Sequence, residues 1–153
     1  MSRRPAVALA VLTAAAVGIV PAHAATKPRP KPIKKSYTLN LLPDPTPNVT
    51  NTIGKNGCGI LPQSQDKHPF TVPAAGTLHV VLDSPNPTNN DTASLDWDLY
   101  ILDSDGAIYD SSTGGTPHEE TTDKFKRSQK LTFWVCNLAG ETSGTVTYTF
   151  TYA

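Results

Sequence analysis

The stretch 145-TVTYTFTY-152 decides the fold. Val146, Tyr148, Phe150 and Tyr152 alternate with Thr145, Thr147, Thr149 and Thr151. Successive side chains of a strand point to opposite sides, so a strict period of two predicts an antiparallel strand with one buried face. The threonine row then faces water. The same period recurs in 36-SYTLNLL-42, where Tyr37, Leu39 and Leu41 share a face. It recurs in 77-TLHVVLD-83, where Leu78, Val80 and Leu82 do, and in 95-LDWDLYIL-102, where Leu95, Trp97, Leu99 and Ile101 do. In 131-LTFWVCNL-138 both faces are apolar, which predicts a strand inside a sheet rather than at its edge.

Turn-forming residues separate these runs: Pro73 to Gly76, Pro85-Asn86-Pro87, Asp105-Gly106, Gly114-Gly115, Gly140 and Ser143-Gly144. After residue 24 no window of eleven residues carries a helical period. Short strands with frequent turns predict an all-β protein. A single sheet would leave one apolar face wet, so two sheets must pack together as an antiparallel β-sandwich. No repeat of 20–50 residues indicates a solenoid or propeller.

The first 24 residues, MSRRPAVALAVLTAAAVGIVPAHA, have the form of a secretory signal peptide. Arg3 and Arg4 are the positive start, Ala6 to Val20 the apolar run, and Ala22-His23-Ala24 the small-x-small cleavage site. The run is short for a bilayer core of about 30 Å, which takes roughly 20 apolar residues, so no membrane span is expected. Cleavage after Ala24 removes two arginines and no acid. It leaves 129 residues with 11 Lys and Arg against 13 Asp and Glu, a net charge of about −2. That balance gives no general attraction to nucleic acid or membrane, and the length suits one domain, expected as a monomer.

Two cysteines, Cys58 and Cys136, remain in the exported part, and an even pair there is most simply a disulfide. Residues 25–35, ATKPRPKPIKK, read as a flexible basic linker before a β-sandwich domain at 36–153. Pro28, Pro30 and Pro32 forbid a helix, and five positive charges without an acid keep the segment solvated. It is either a plain spacer or an arm that docks on an anionic cell-wall polymer.

In 96-DWDLYILDSDG-106, Asp96 and Asp98 fall on one strand face, roughly 6.5 Å apart. Like charges on one face repel, so water, a cationic neighbour or a bound cation must compensate. One reading is a solvated outer face. The other is calcium, which takes about 6–8 oxygens. The preceding 83-DSPNPTNNDT-92 offers Asp83, Asn89, Asn90 and Asp91, so the candidate metal set is Asp83, Asp91, Asp96 and Asp98. A glycosidase pair needs two acids about 5–9.5 Å apart across a cleft, and Trp97, facing the other way, marks no such groove. Asp103 to Gly106 reads as the turn of a hairpin leading into 107-AIYDSS-112.

The other polar residues suggest no chemistry. His68 precedes Pro69 in an expected loop, and His79 lies on a polar strand face. His118, Glu119 and Glu120 are read as solvated residues of an exposed loop, 113-TGGTPHEE-120, without metal-ligand spacing. No serine sits in a G-x-S-x-G elbow. Lys124, Lys126, Arg127 and Lys130 form a solvated basic patch, and sequons occur at Asn48 and Asn90.

The order 72-VPAAGTLHVVLD-83, 96-DWDLYILDSDGAIYDSS-112 and the closing TVTYTFTYA resembles the bacterial pre-peptidase C-terminal domain over about residues 70–153. Asp96 and Asp98 match that family's acidic pair, and Leu99-Tyr100 its Leu-Tyr. The resemblance implies a jelly-roll-like sandwich and a non-catalytic accessory role beside secreted peptidases. Some relatives, the collagen-binding domains of clostridial collagenases, bind calcium and collagen. The chain is therefore expected to be a secreted, non-catalytic, calcium-stabilised binding module for an extracellular protein or cell-wall polymer. A small secreted enzyme or enzyme inhibitor, and a structural protein of the cell envelope, are the alternatives. An enzyme would show convergent polar groups in a cleft. A binding module would show a flat face with exposed aromatics such as Trp134 or Tyr100.

Overall fold

The computed structural model describes residues 28–44, 58–59, 61–85 and 95–153. The signal-peptide segment, Asn48, Asn89, Asn90 and Asp91 lie outside the described residues. The described chain forms eight strands: β1 (Ile33–Asn40), β2 (Gln65–Val72), β3 (Gly76–Asp83), β4 (Asp96–Leu102), β5 (Ile108–Ser112), β6 (His118–Phe125), β7 (Gln129–Ala139) and β8 (Ser143–Tyr152). They make two four-stranded sheets of order β1-β8-β3-β6 and β2-β7-β4-β5, with every pair antiparallel. This is the antiparallel two-sheet sandwich that the period-two runs require.

The inner faces supply the core. β8 lies between β1 and β3, with Val146 and Phe150 fully buried and Thr145 and Thr151 exposed. β3 adds Leu78, Val80 and Leu82, and β4 adds Trp97, Leu99 and Ile101. β7 is interior to its sheet, as its two apolar faces demand. Leu131, Phe133 and Val135 enter the core, and Phe133 lies 5.3 Å from both Phe70 and Tyr148. On the other side Cys136, Trp134 and Leu138 join Tyr100, Leu102 and Cys58 in a second apolar cluster outside the sheet. The Cys58–Cys136 disulfide, with Cα atoms 5.1 Å apart, ties that cluster across 78 residues of chain. On the chain-entropy model a closed loop of this size stabilises by about 4–5 kcal/mol.

Two strands fall where the sequence shows no apolar period. β2, QDKHPFTV, contains Pro69, which an edge strand tolerates because its N–H is not needed in the ladder. His68 is thus in a strand rather than a loop, its ring stacked on Tyr37 at 4.1 Å. β6, HEETTDKF, buries Glu119 and Thr121, so its inward positions read as polar. At the other end of the chain β1 begins at Ile33, and Lys34 and Lys35 of the basic segment pair with Thr149 and Tyr148.

The sheets meet closely where the Trp97 ring covers Gly144. A Cβ built on Gly144 would stand 2.8 Å from that ring. Gly144→Ala is therefore expected to lower stability by about 1–3 kcal/mol, the usual cost of overpacking a tight core, read as a lower urea midpoint with an unchanged slope.

Candidate functional site at the acidic end of the sandwich

Core burial of Trp97, Leu99 and Ile101 forces Asp98, Tyr100 and Leu102 onto the outer face of β4. That face is not solvated at Asp98. The residue is 6% exposed and lies opposite Cys136 in register. The Tyr100 hydroxyl donates to Asp98 Oδ2 at 2.9 Å. Burial pushes the Asp98 carboxyl up to about 6. The Tyr100 hydrogen bond opposes this, and the charges of Asp96 and Glu119 add to it. Burial also raises Asp96, with the Glu119 charge contributing. The Tyr100 hydroxyl is raised well above its ordinary value, by burial first and then by Asp98.

Glu119 is the member of this group that sequence reading places in an exposed loop. It is 2% exposed and belongs to β6. Its Oε1 accepts from the Gly114 N–H and from Thr116 Oγ1, both at 2.9 Å, and its Oε2 accepts from Ser112 Oγ. The turn it supports also fixes two strand ends. Trp97 N–H donates to the Thr116 carbonyl at 3.2 Å, and Ser84 N–H to the Pro117 carbonyl at 2.8 Å. The end of β3 and the start of β4 thereby meet on one turn. The only advance sign of a buried Glu119 is the alternation Glu119, Thr121, Asp123, Phe125, in which one member alone is apolar.

The candidate metal set does not come together as the sequence suggests. Asp96 and Asp98 are joined by Glu119. Asp83 instead lies on the outer face of the other sheet, where His118 Nδ1 donates to its Oδ1 at 2.6 Å. That hydrogen bond is the main cause of a raised His118 pKa. His79 Nε2 lies 3.0 Å and His118 Nε2 3.7 Å from Glu120, so these four side chains form a row of exposed pairs. Pairs this exposed contribute little to stability. Among the described residues no three His, Cys, Asp or Glu side chains are arranged to hold a metal ion. The donor count agrees, since both Glu119 oxygens and one Asp98 oxygen are engaged within the protein.

The aromatic residues of the same sheet face are occupied as well. Tyr100 is 3% exposed. Trp134 is half-buried, with Lys67 Nζ 4.5 Å above its ring and its Nε1 donating to Gln65 Oε1 at 2.8 Å. The expected exposed aromatic platform is not present at these two residues. Among the described residues no helix is long and apolar enough to cross a membrane.

The described chain is an all-β, antiparallel two-sheet sandwich. No family model matches the sequence, and no curated protein matches it. Among solved structures the chain is similar to the pre-peptidase C-terminal domain of collagenase from Bacillus anthracis. That match has a TM-score of 0.40 and 13% identity, and covers 79% of this chain and 88% of that one. It is also similar to the VP2 subviral particle of infectious bursal disease virus, with a TM-score of 0.30 and 10% identity, covering 88% of this chain and 36% of that one. Neither likeness assigns a ligand or an activity to this chain.

The raised Asp98 carboxyl has a consequence for stability. A carboxyl whose folded pKa is raised holds its proton more tightly when folded. Its contribution is fully present below pH 3.8 and is lost as pH rises through about 6. Asp98→Asn keeps an acceptor for Tyr100 and removes the buried charge. The variant is expected to melt higher than the parent at pH 7, with a smaller fall in midpoint between pH 4 and pH 7, measured by thermal unfolding across that range.

Proposed function

We propose that this chain acts outside the cell as a non-catalytic binding module of the pre-peptidase C-terminal kind, with an extracellular protein or cell-wall polymer as its partner. The observation that carries the reading is how the acids are used. Among the described residues Glu119 accepts three hydrogen bonds inside the fold and Asp98 is tied to Tyr100, so these two acids serve the fold rather than a cleft. The motif order supports it. The Pro73 to Gly76 turn opens β3, Asp96 to Tyr100 lies in β4, and Asp103 to Gly106 turns the β4–β5 hairpin. In that turn Gly106 has φ 81°, and Asp103 Oδ1 accepts from the N–H groups of Asp105 and Ala107, each at 2.9 Å. A disulfide suits an oxidising compartment, and residues 1–24 supply the export signal this location needs.

Calcium belongs to the same proposal. The described carboxylates do not form a complete site, so any ion at Asp96 would draw further ligands from residues 86–94, whose sequence includes Asn89, Asn90 and Asp91. A ligand that binds only the folded state raises stability by RT ln(1 + [L]/Kd), about 2.7 kcal/mol at a hundredfold excess over Kd. The midpoint of the oxidised mature protein is expected to rise with calcium and fall with chelator, and Asp96→Asn should abolish the difference. An unchanged midpoint removes calcium from the proposal and leaves Asp96 an ordinary acid at a strand end.

The binding role has its own test. Mature protein mixed with isolated anionic cell-wall polymer is expected to co-sediment saturably, less so at high salt, and to leave the polymer intact. Release of soluble fragments would favour the secreted-enzyme alternative. Failure to bind wall polymer would leave an extracellular protein as the partner.

A further inference from the structure

The two sheets have open edges, and one is closed by acids. β5 ends one sheet and β6 the other, so these strands face each other without a shared hydrogen-bond ladder. The inward side chains of β6 are Glu119, Thr121, Asp123 and Phe125. Those of β5 include Asp110 and Ser112, which stand beside Ile101 and Leu99 of β4. Ser112 bonds Glu119 at one end of this seam. Further along it the carboxyls of Asp110 and Asp123 lie within hydrogen-bonding reach of each other.

Two carboxylates at that distance cannot bond, because neither has a hydrogen to donate. Asp123 Oδ2 is buried and has no partner, and so is the hydroxyl of Thr121, a residue only 5% exposed and next on the same face. Among the described residues no Lys or Arg forms an ion pair with either acid. Among the described residues the surroundings offer no other counter-charge. β3 places Leu78 opposite Asp123, and its His79 is on the outer face with Glu120. β4 presents Leu99 and Ile101, while Asp96 and Asp98 sit at the Glu119 end. On β6 itself Glu119 is engaged with Ser112, Gly114 and Thr116. A single proton supplies the missing donor and removes the repulsion together.

We propose that Asp110 and Asp123 share a proton that clasps β5 to β6, so that closure of this edge of the sandwich depends on acid. Tyr109 stacks on Phe125 at 5.5 Å beside the pair and forms the apolar half of the same clasp. When the proton leaves, two like charges face each other in a partly buried seam. β5 is then held by Tyr109, by the Ser112–Glu119 bond at the far end of the seam and by its ladder to β4. The direction of titration agrees, since burial, followed by the charge of Asp110 and its hydrogen bond, pushes the Asp123 carboxyl up to about 6. The clasp is closed below that pH and loosens above it.

Hydrogen exchange of the full mature chain, followed over residues 108–112 at pH 5 and pH 7.5 and corrected for intrinsic rates, tests this. Protection of β5 in the parent is expected to fall by at least about tenfold at the higher pH. In Asp123→Asn an amide can donate to Asp110 at either pH, so protection should stay the same at both. Asp110→Asn gives the same reading from the other partner, so the test stands if one variant does not fold. Asp98→Asn, which removes the other carboxyl pushed up to about 6, should retain the parental fall at β5. Equal protection of the parent at both pH values would overturn the proposal. So would a fall that survives in both seam variants, or one that is lost only in Asp98→Asn. Full recovery of protection at pH 7.5 on adding calcium chloride would also overturn it, by making the seam a cation site rather than a proton clasp.

Discussion

The Trp97 ring lies over Gly144, where β4 of one sheet meets β8 of the other, and this contact fixes which way every side chain of both strands points. Because the period of a strand is two, placing Trp97 in the core sends Asp98 and Tyr100 to the opposite face. A slip of one residue would bring Asp98 into the core and put Trp97 in water. The absence of a side chain at residue 144 is what lets the ring approach the β8 backbone. The acidic motif therefore follows from the packing. Its geometry is that of a strand whose other face had to be apolar.

The outer face of β4 is not simply wet. Cys136 sits opposite Asp98, and the disulfide brings Cys58 over this part of the sheet, against Tyr100, Leu102, Trp134 and Leu138. The cross-link that stabilises the fold thus also buries a carboxylate, and Tyr100 offsets only part of that cost. Glu119 is satisfied by a different route, with donors from the turn that joins β5 to β6. Both acids bond within the chain, but they differ electrostatically. Asp98 is held near the boundary between charged and neutral, while Glu119 serves as the anchor of a turn.

The fold was legible where burial follows the strand period. In β3, β4, β7 and β8 the inward residues are apolar, so the alternation alone announces strand, face and even the interior position of β7. β2 and β6 were hidden because both are edge strands, and edge strands need not present apolar inward residues throughout. For the same reason Glu119 read as loop and His68 as solvated. The disulfide was legible from an even pair of cysteines following a segment with the form of a signal peptide. Of the candidate metal set, Asp96 and Asp98 stand two residues apart on β4, and sequence cannot show that Asp83 ends its strand bonded to His118. Asp110 and Asp123 gave no signal, since a contact between two edges in different sheets has no local pattern.

The two open edges of the sandwich solve one problem in different ways. At the β1–β2 edge the Tyr37 ring stacks on His68, and burial raises the Tyr37 hydroxyl well above its ordinary value, so it stays neutral at any ordinary pH. At the β5–β6 edge the aromatic contact between Tyr109 and Phe125 is supplemented by the Asp110–Asp123 pair, in which burial first and Asp110 second push the Asp123 carboxyl up to about 6. A sandwich needing only stability could have filled that seam with hydrocarbon, which carries no desolvation penalty and no repulsion. The seam contains acids instead, next to Ile108 and Tyr109, the exposed large hydrophobic residues of β5. An edge strand with exposed apolar groups is the part of a sheet most prone to pair with another chain. Tying its closure to a proton makes the freedom of β5 to part from β6 conditional on the surroundings, which a purely apolar seam could not do.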